Sequence, residues 1–133
     1  MILLLDTSTA TCRFAFYDGE RYLIDETWEA GRDLAEQLHA YIERHLESFG
    51  RDWQDITGIG VYKGPGSFTG LRIGLAVLNT IADANNVPIV GETGEDWRAV
   101  AIERLKSGAN ERIVLPLYGR EANITKPRKW QIV

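Results

Sequence analysis

The stretch of this 133-residue chain with the most chemical content is residues 64–76, Gly-Pro-Gly-Ser-Phe-Thr-Gly-Leu-Arg-Ile-Gly-Leu-Ala. Turn formers come first, then a hydroxyl residue, then an apolar run, which is how a strand passes through a tight loop into a helix. The glycines allow close approach of a phosphate or of another backbone, and the free amides of a helix start attract anions. Ser67 or Thr69 can instead take those amides as a cap. A second candidate set, Asp6-Thr7-Ser8, ends the first apolar run. Asp6 can orient a metal-bound water beside a phosphate, or accept neighbouring amides and shape a turn. The turn role is the expected one. Asp6, Thr7, Ser8, Gly64, Gly66 and Ser67 thus form a candidate anion-binding loop.

Other reactive side chains offer less. His39 and His45 lie six positions apart. On one helix they project about 120° from each other at about 100° per residue, so they cannot share a metal. Surface or interface positions are expected for both, and no metal site. Ser8 and Ser67 have no convincing histidine and acid beside them, which removes the basis for a hydrolase. Cys12, the single cysteine, sits in an expected strand as an inert buried thiol, and its solitude suits a reducing compartment. Glu92, Glu95 and Asp96 gather where a strand gives way to a helix, a place where carboxylates favour the helix dipole.

These residues need a scaffold. Residues 2–7 form an unbroken apolar run, the pattern of a central strand covered on both faces. The run Ile2–Leu5 stops at Asp6 and has no basic flank, so it reads as a strand rather than a signal peptide or membrane span. Residues 12–17 are aromatic-rich, Asp18-Gly19 is a two-residue hairpin signal, and residues 21–28 alternate loosely. The opening is therefore a three-stranded antiparallel meander.

A helix is expected over 33–49, started by an Asp33–Glu36 capping box and stopped at Gly50, with Leu34, Leu38, Ile42, Leu46 and Phe49 as its apolar stripe. Residues 58–62 form a strand running into the loop. A second helix spans about 69–85 and is apolar around most of its circumference. One sheet face cannot cover it, so the first helix or a second protein must. Strand 87–92, helix 95–106 and a late strand at 112–118 complete the pattern. The domain is expected to occupy 1–110, with 111–133 a closing strand and basic tail.

The order β-β-β-α-β-α-β-α predicts an α/β fold with a mixed, five-stranded sheet flanked by helices. It resembles one half of the actin-like ATPase (ASKHA, RNase H-like) architecture, and the chain has length for one such half-domain. Composition is that of a soluble globular domain, and a net charge of −4 argues against broad phosphate neutralisation. The tail differs, carrying Arg120, Lys126, Arg128 and Lys129 against only Glu121, with Trp130 among them. A solvated terminus is expected there.

With these stretches in view, the chain resembles the TsaB (YeaZ) family. The likeness rests on Leu4-Leu5-Asp6-Thr7-Ser8, on Gly64 to Ala76, on Asn86-Val87-Pro88-Ile89-Val90-Gly91 and on Pro116-Leu117-Tyr118-Gly119-Arg120. It runs in order over residues 1–95. The resemblance implies a non-catalytic scaffold in the complex that makes N6-threonylcarbamoyladenosine beside the anticodon of tRNA. The implied partners are a TsaD-like catalytic paralogue and a TsaE-like ATPase, which would hold the metal and ATP, so no cofactor of its own is expected. tRNA would be met through the complex. The implied contact uses the first two helices, by which the chain can also pair with itself.

Leu34, Leu38, Ile42, Leu71, Ile73, Gly74 and Leu78 are the expected interface residues, so Gly74→Arg or Leu78→Asp should abolish pairing. Two departures stand out: family members commonly carry a second half of similar fold, and residues 31–36 replace the usual Arg-His-Ser-Glu. An old peptidase label in the wider family finds no chemistry in these residues. The competing expectation is a nucleotide-binding actin-like enzyme acting as a dimer. A cytoplasmic location without membrane contact is expected.

Overall fold

The computed structural model describes residues 1–118. Three strands open the chain: β1 (Ile2–Asp6), β2 (Thr11–Asp18) and β3 (Arg21–Glu29). Helix α1 (Leu34–Ser48), strand β4 (Gly58–Tyr62), helix α2 (Phe68–Asn85), strand β5 (Ile89–Glu92) and helix α3 (Trp97–Lys106) follow. The sheet order is β3-β2-β1-β4-β5. β1 is antiparallel to β2 and parallel to β4, so the expected mixed sheet of five strands is present. The fold is the α/β, actin-like (RNase H-like) one.

Strand alternation sorts the core into two layers. Leu3, Leu5, Phe14, Phe16, Ile59 and Val61 face α1 and α2. Leu4, Ala15 and Val90 face Trp97, Ala101 and Ile102 of α3 on the other side. β1 is apolar at every position up to Leu5 because both its faces are covered. On α1 the stripe Leu34, Leu38, Ile42 and Leu46 is buried. It packs on the sheet and along α2.

Several local expectations shift. The two-residue hairpin loop is Gly19-Glu20, one position later than the Asp18-Gly19 signal, with the positive φ taken by Gly19. Asp33 closes a 3-10 turn (Gly31–Asp33) and caps nothing with its side chain, so no capping box starts α1. The box forms instead at Asp52, whose side chain accepts from Gln54 N while Asp55 accepts from Asp52 N. α3 starts at Trp97. Glu92 pairs with Arg104 at 2.5 Å rather than capping a helix.

The expected late strand at 112–118 is not a strand. The outer edge of β5 is satisfied mostly by side chains. Ile89 N donates to Asn110 Oδ1 (3.1 Å), and Gly91 N donates to Glu111 Oε2 (3.0 Å). Only Glu111 N, donating to Ile89 O at 2.8 Å, makes a backbone rung. Beyond it the chain crosses the flank of α2 with Val114 buried. The apolar circumference of α2 is therefore covered from within, by α1, the sheet and this crossing segment. The basic residues from Arg120 to Trp130 lie outside the described residues. Among the described residues no helix is long and apolar enough to cross a membrane.

Candidate functional site

The Gly-rich loop and the turn after β1 meet, and the contact is made of small residues. Asp6 Oδ1 accepts from Ser8 N at 2.8 Å, so the carboxylate shapes the turn. The turn carries Thr7 and Ser8 into the fold, where they are 3% and 8% exposed. Ser67 N donates to Ser8 O at 2.8 Å, and Thr7 Oγ1 donates to Gly70 O at 2.8 Å. Ser67 is the N-cap of α2, its hydroxyl accepting from Gly70 N at 3.4 Å. Of the two hydroxyls able to cap, Ser67 does so.

The glycines fit this contact. A Cβ on Gly66 would overlap the Ser8 side chain, one on Gly70 would overlap the Thr7 carbonyl oxygen, and one on Gly74 would overlap Thr7 Oγ1. Gly70 and Gly74 are one turn apart, so they line one face of α2 and form a groove for Thr7. Gly64, at φ +126 beside a cis Gly64–Pro65 peptide, has the Leu117 carbonyl where its Cβ would be. Leu117 N in turn donates to Lys63 O at 2.7 Å. The loop that sequence singled out as a candidate anion site thus has its close approaches taken by this chain's own atoms, the backbone of Leu117 and Thr7 and the side chains of Ser8 and Thr7.

The seven expected interface residues fare differently. Leu34, Leu38, Ile42, Leu71 and Leu78 are at most 4% exposed, inside the chain's own core. Gly74 is buried against Thr7, and Ile73 alone of the seven is half-buried. An apolar stripe marks the face a helix turns to its nearest apolar neighbour, and here that neighbour is the sheet. The sides of these helices that meet solvent carry Ala35, His39 and Glu43 on α1, and Arg72, Ala76 and Thr80 on α2.

The histidines stay apart. His39 stacks on Trp53 with ring centroids 4.9 Å apart. His45 lies between Glu26 Oε2 (Nε2 at 2.8 Å) and Tyr41 O (Nδ1 at 2.9 Å). The same Glu26 oxygen accepts from Tyr41 OH at 2.5 Å, and burial followed by this carboxylate pushes the phenol pKa up. Trp28 stacks on Tyr41 at 4.1 Å. Sequence reading missed this group because Glu26 and Trp28 of β3 meet Tyr41 and His45 of α1 only in the folded chain. Cys12 is 1% exposed, and burial, then the charge of Asp6, pushes its thiol from 9.0 up to about 11, so it is inert as expected.

Comparison with known proteins gives these observations a family. The model of the family "TsaD: tRNA N6-adenosine threonylcarbamoyltransferase" matches residues 28–122. The tRNA threonylcarbamoyladenosine biosynthesis protein TsaB of Haemophilus influenzae is 32% identical over 67% of this chain and 37% of its own length. Two solved structures from Pseudomonas aeruginosa superpose with a TM-score of 0.63 at 29% identity over 69% of this chain. One is YeaZ, covered over 43% of its length, and the other a protein with similarity to peptidase YeaZ, covered over 42%. The chain spans well under half the length of these relatives. On the identity with TsaB over two thirds of its length, and on this shared fold, the chain belongs to the TsaB/YeaZ family.

Proposed function

We propose that this chain is a non-catalytic, supporting subunit of the assembly that makes N6-threonylcarbamoyladenosine in tRNA. It would bind a TsaD-like catalytic paralogue and work with a TsaE-like ATPase, the metal and ATP residing on those partners. The observation that carries the reading is the filled groove. Ser8 and Thr7 occupy the close-approach positions of Gly66, Gly70 and Gly74, so the family's most distinctive loop is used to fix α2 on the sheet. A loop used in this way supports a rigid docking element better than a phosphate cradle.

The partner face would be the solvent side of α1 and α2, around Arg72, Ala76 and Thr80, rather than the buried stripe. Pairing with a second copy through the same face would compete with the paralogue. The test is reconstitution: this chain, a TsaD-like and a TsaE-like protein from one cell, with modified adenosine read by mass spectrometry of tRNA. A 1:1 complex with the TsaD-like protein and loss of the modification on omitting this chain are expected. Full modification without it sinks the proposal. Titration with ATP and Mg²⁺ separates the nucleotide-enzyme alternative: binding tighter than about 10 μM, abolished by Asp6→Ala, would favour that alternative.

A further inference from the structure

A cavity of about 510 Å³ lies away from the glycine loop, between the C-terminal half of α2 and the segment after α3. Its walls are held by amide side chains. Asn79 accepts from Val114 N at 2.9 Å and donates to Val114 O at 3.0 Å, which fixes the crossing segment against α2. Asn110 Oδ1 accepts from both Ile89 N and Arg112 N, at 3.1 and 2.9 Å. The two non-glycine residues with positive φ in the described chain, Asn86 (56°) and Arg112 (69°), both line this cavity. For Asn86 this is an ordinary helix C-cap. For arginine it costs about 1 kcal/mol and persists only where neighbours enforce it, as Asn110 does here.

Charge decides what such a cavity can take. Asp83 lines it from α2 and Arg112 from the segment after α3, and neither belongs to an ion pair among the described residues. The C-terminal end of α2 adds partial negative charge on the Asp83 side. A simple anion would meet that carboxylate, and a simple cation would meet the guanidinium. A ligand with one charge of each sign close together and a short apolar side chain can meet both residues. Ala82, Val87 and Ile113 provide an apolar surface for a side chain between them.

We propose that this cavity binds a free α-amino acid with a small aliphatic side chain. Its carboxylate meets the Arg112 guanidinium and the Asn110 amide NH₂; its ammonium meets the Asp83 carboxylate at the end of α2. This site borders the docking face at Thr80, which lines the cavity, but it does not rest on the reading given above.

The test uses the whole chain and three matched probes: L-valine, isobutylamine with the ammonium alone, and isovalerate with the carboxylate alone. Amide chemical shifts are followed by NMR. With L-valine, shifts are expected to saturate at Asn79, Asp83, Asn86 and Arg112, and the single-charge probes should bind at least about tenfold more weakly. Arg112→Gln and Asp83→Asn, both at exposed positions and checked for folding by circular dichroism, should each weaken L-valine by a similar factor. No saturable shift with up to about 10 mM L-valine, a range that reaches millimolar affinity, would overturn the proposal. So would equal binding by either variant or by the single-charge probes.

Discussion

At the scale of single residues, the family loop is explained by what each glycine must avoid. Gly74→Ala places a methyl group on Thr7 Oγ1, a contact backbone and helix cannot both escape. It is expected to cost about 2 kcal/mol or more, read as a lower urea midpoint with an unchanged m-value. Thr7→Val keeps the shape and removes the 2.8 Å bond to Gly70 O. A smaller loss of about 1 kcal/mol follows. Cys12 provides a pH-dependent counterpart. Its pKa is raised from 9.0 in the free thiol to about 11 in the fold, so the native state holds the proton longer than the unfolded one. Stability from this group is intact below about pH 9 and declines between pH 9 and 11. Cys12→Ala should flatten that part of a stability–pH curve, and the native thiol should resist Ellman's reagent at pH 8 until urea unfolds the chain.

At the scale of elements, the strands and helices were legible because their signals are local. The meander, the mixed five-stranded sheet and α1 follow from apolar period and turn residues, and the positions of α2 and α3 from the turn residues before them. What sequence could not show is which partner an apolar stripe chooses. Leu38 and Leu78 carry the same pattern whether they face a sheet or another protein, and the sheet is nearer in the chain. Gly74→Arg and Leu78→Asp therefore test the core, and both should unfold the domain rather than selectively unpair it. The loss of the expected sixth strand has a similar origin. Asn110 and Glu111 imitate strand partners with side-chain atoms, which no alternation rule detects. Asn79 then ties the crossing segment down. Asn79→Ala is expected to lose about 1–2 kcal/mol and to raise hydrogen exchange at the Val114 amide well above that of β1 amides.

At the scale of the molecule, a three-way polar link fastens the edge strand β3 to its neighbour β2 and to α3. Asp25 on β3 accepts from Arg13 of β2 (Oδ1···Nε and Oδ2···Nη2, both 3.2 Å) and from Arg98 of α3 (3.0 Å each). The hydrogen bond from Arg98, chiefly, holds its carboxyl below the free value of 3.8, against a smaller opposing effect of burial. A depressed folded pKa means the link is fully present above that free value and is lost as pH falls through the lowered one. Asp25→Asn should remove this part of the acid limb, leaving the neutral-pH transition cooperative. A limb unchanged in the variant would place acid sensitivity elsewhere.

The groove on α2 has a mechanical consequence. Gly70 and Gly74 repeat at one helical turn, so Thr7 sits in a notch of α2 with its carbonyl over one glycine and its hydroxyl over the other. Such a notch, closed by the hydrogen bond from Thr7 Oγ1 to Gly70 O, works as a dowel that pins the helix to the end of β1. The Ser67–Ser8 hydrogen bond at the helix start adds a second pin beside the Ser67 cap. Any push delivered to the outer face of α2 would therefore reach the β1 turn directly, with helix and turn moving as one unit.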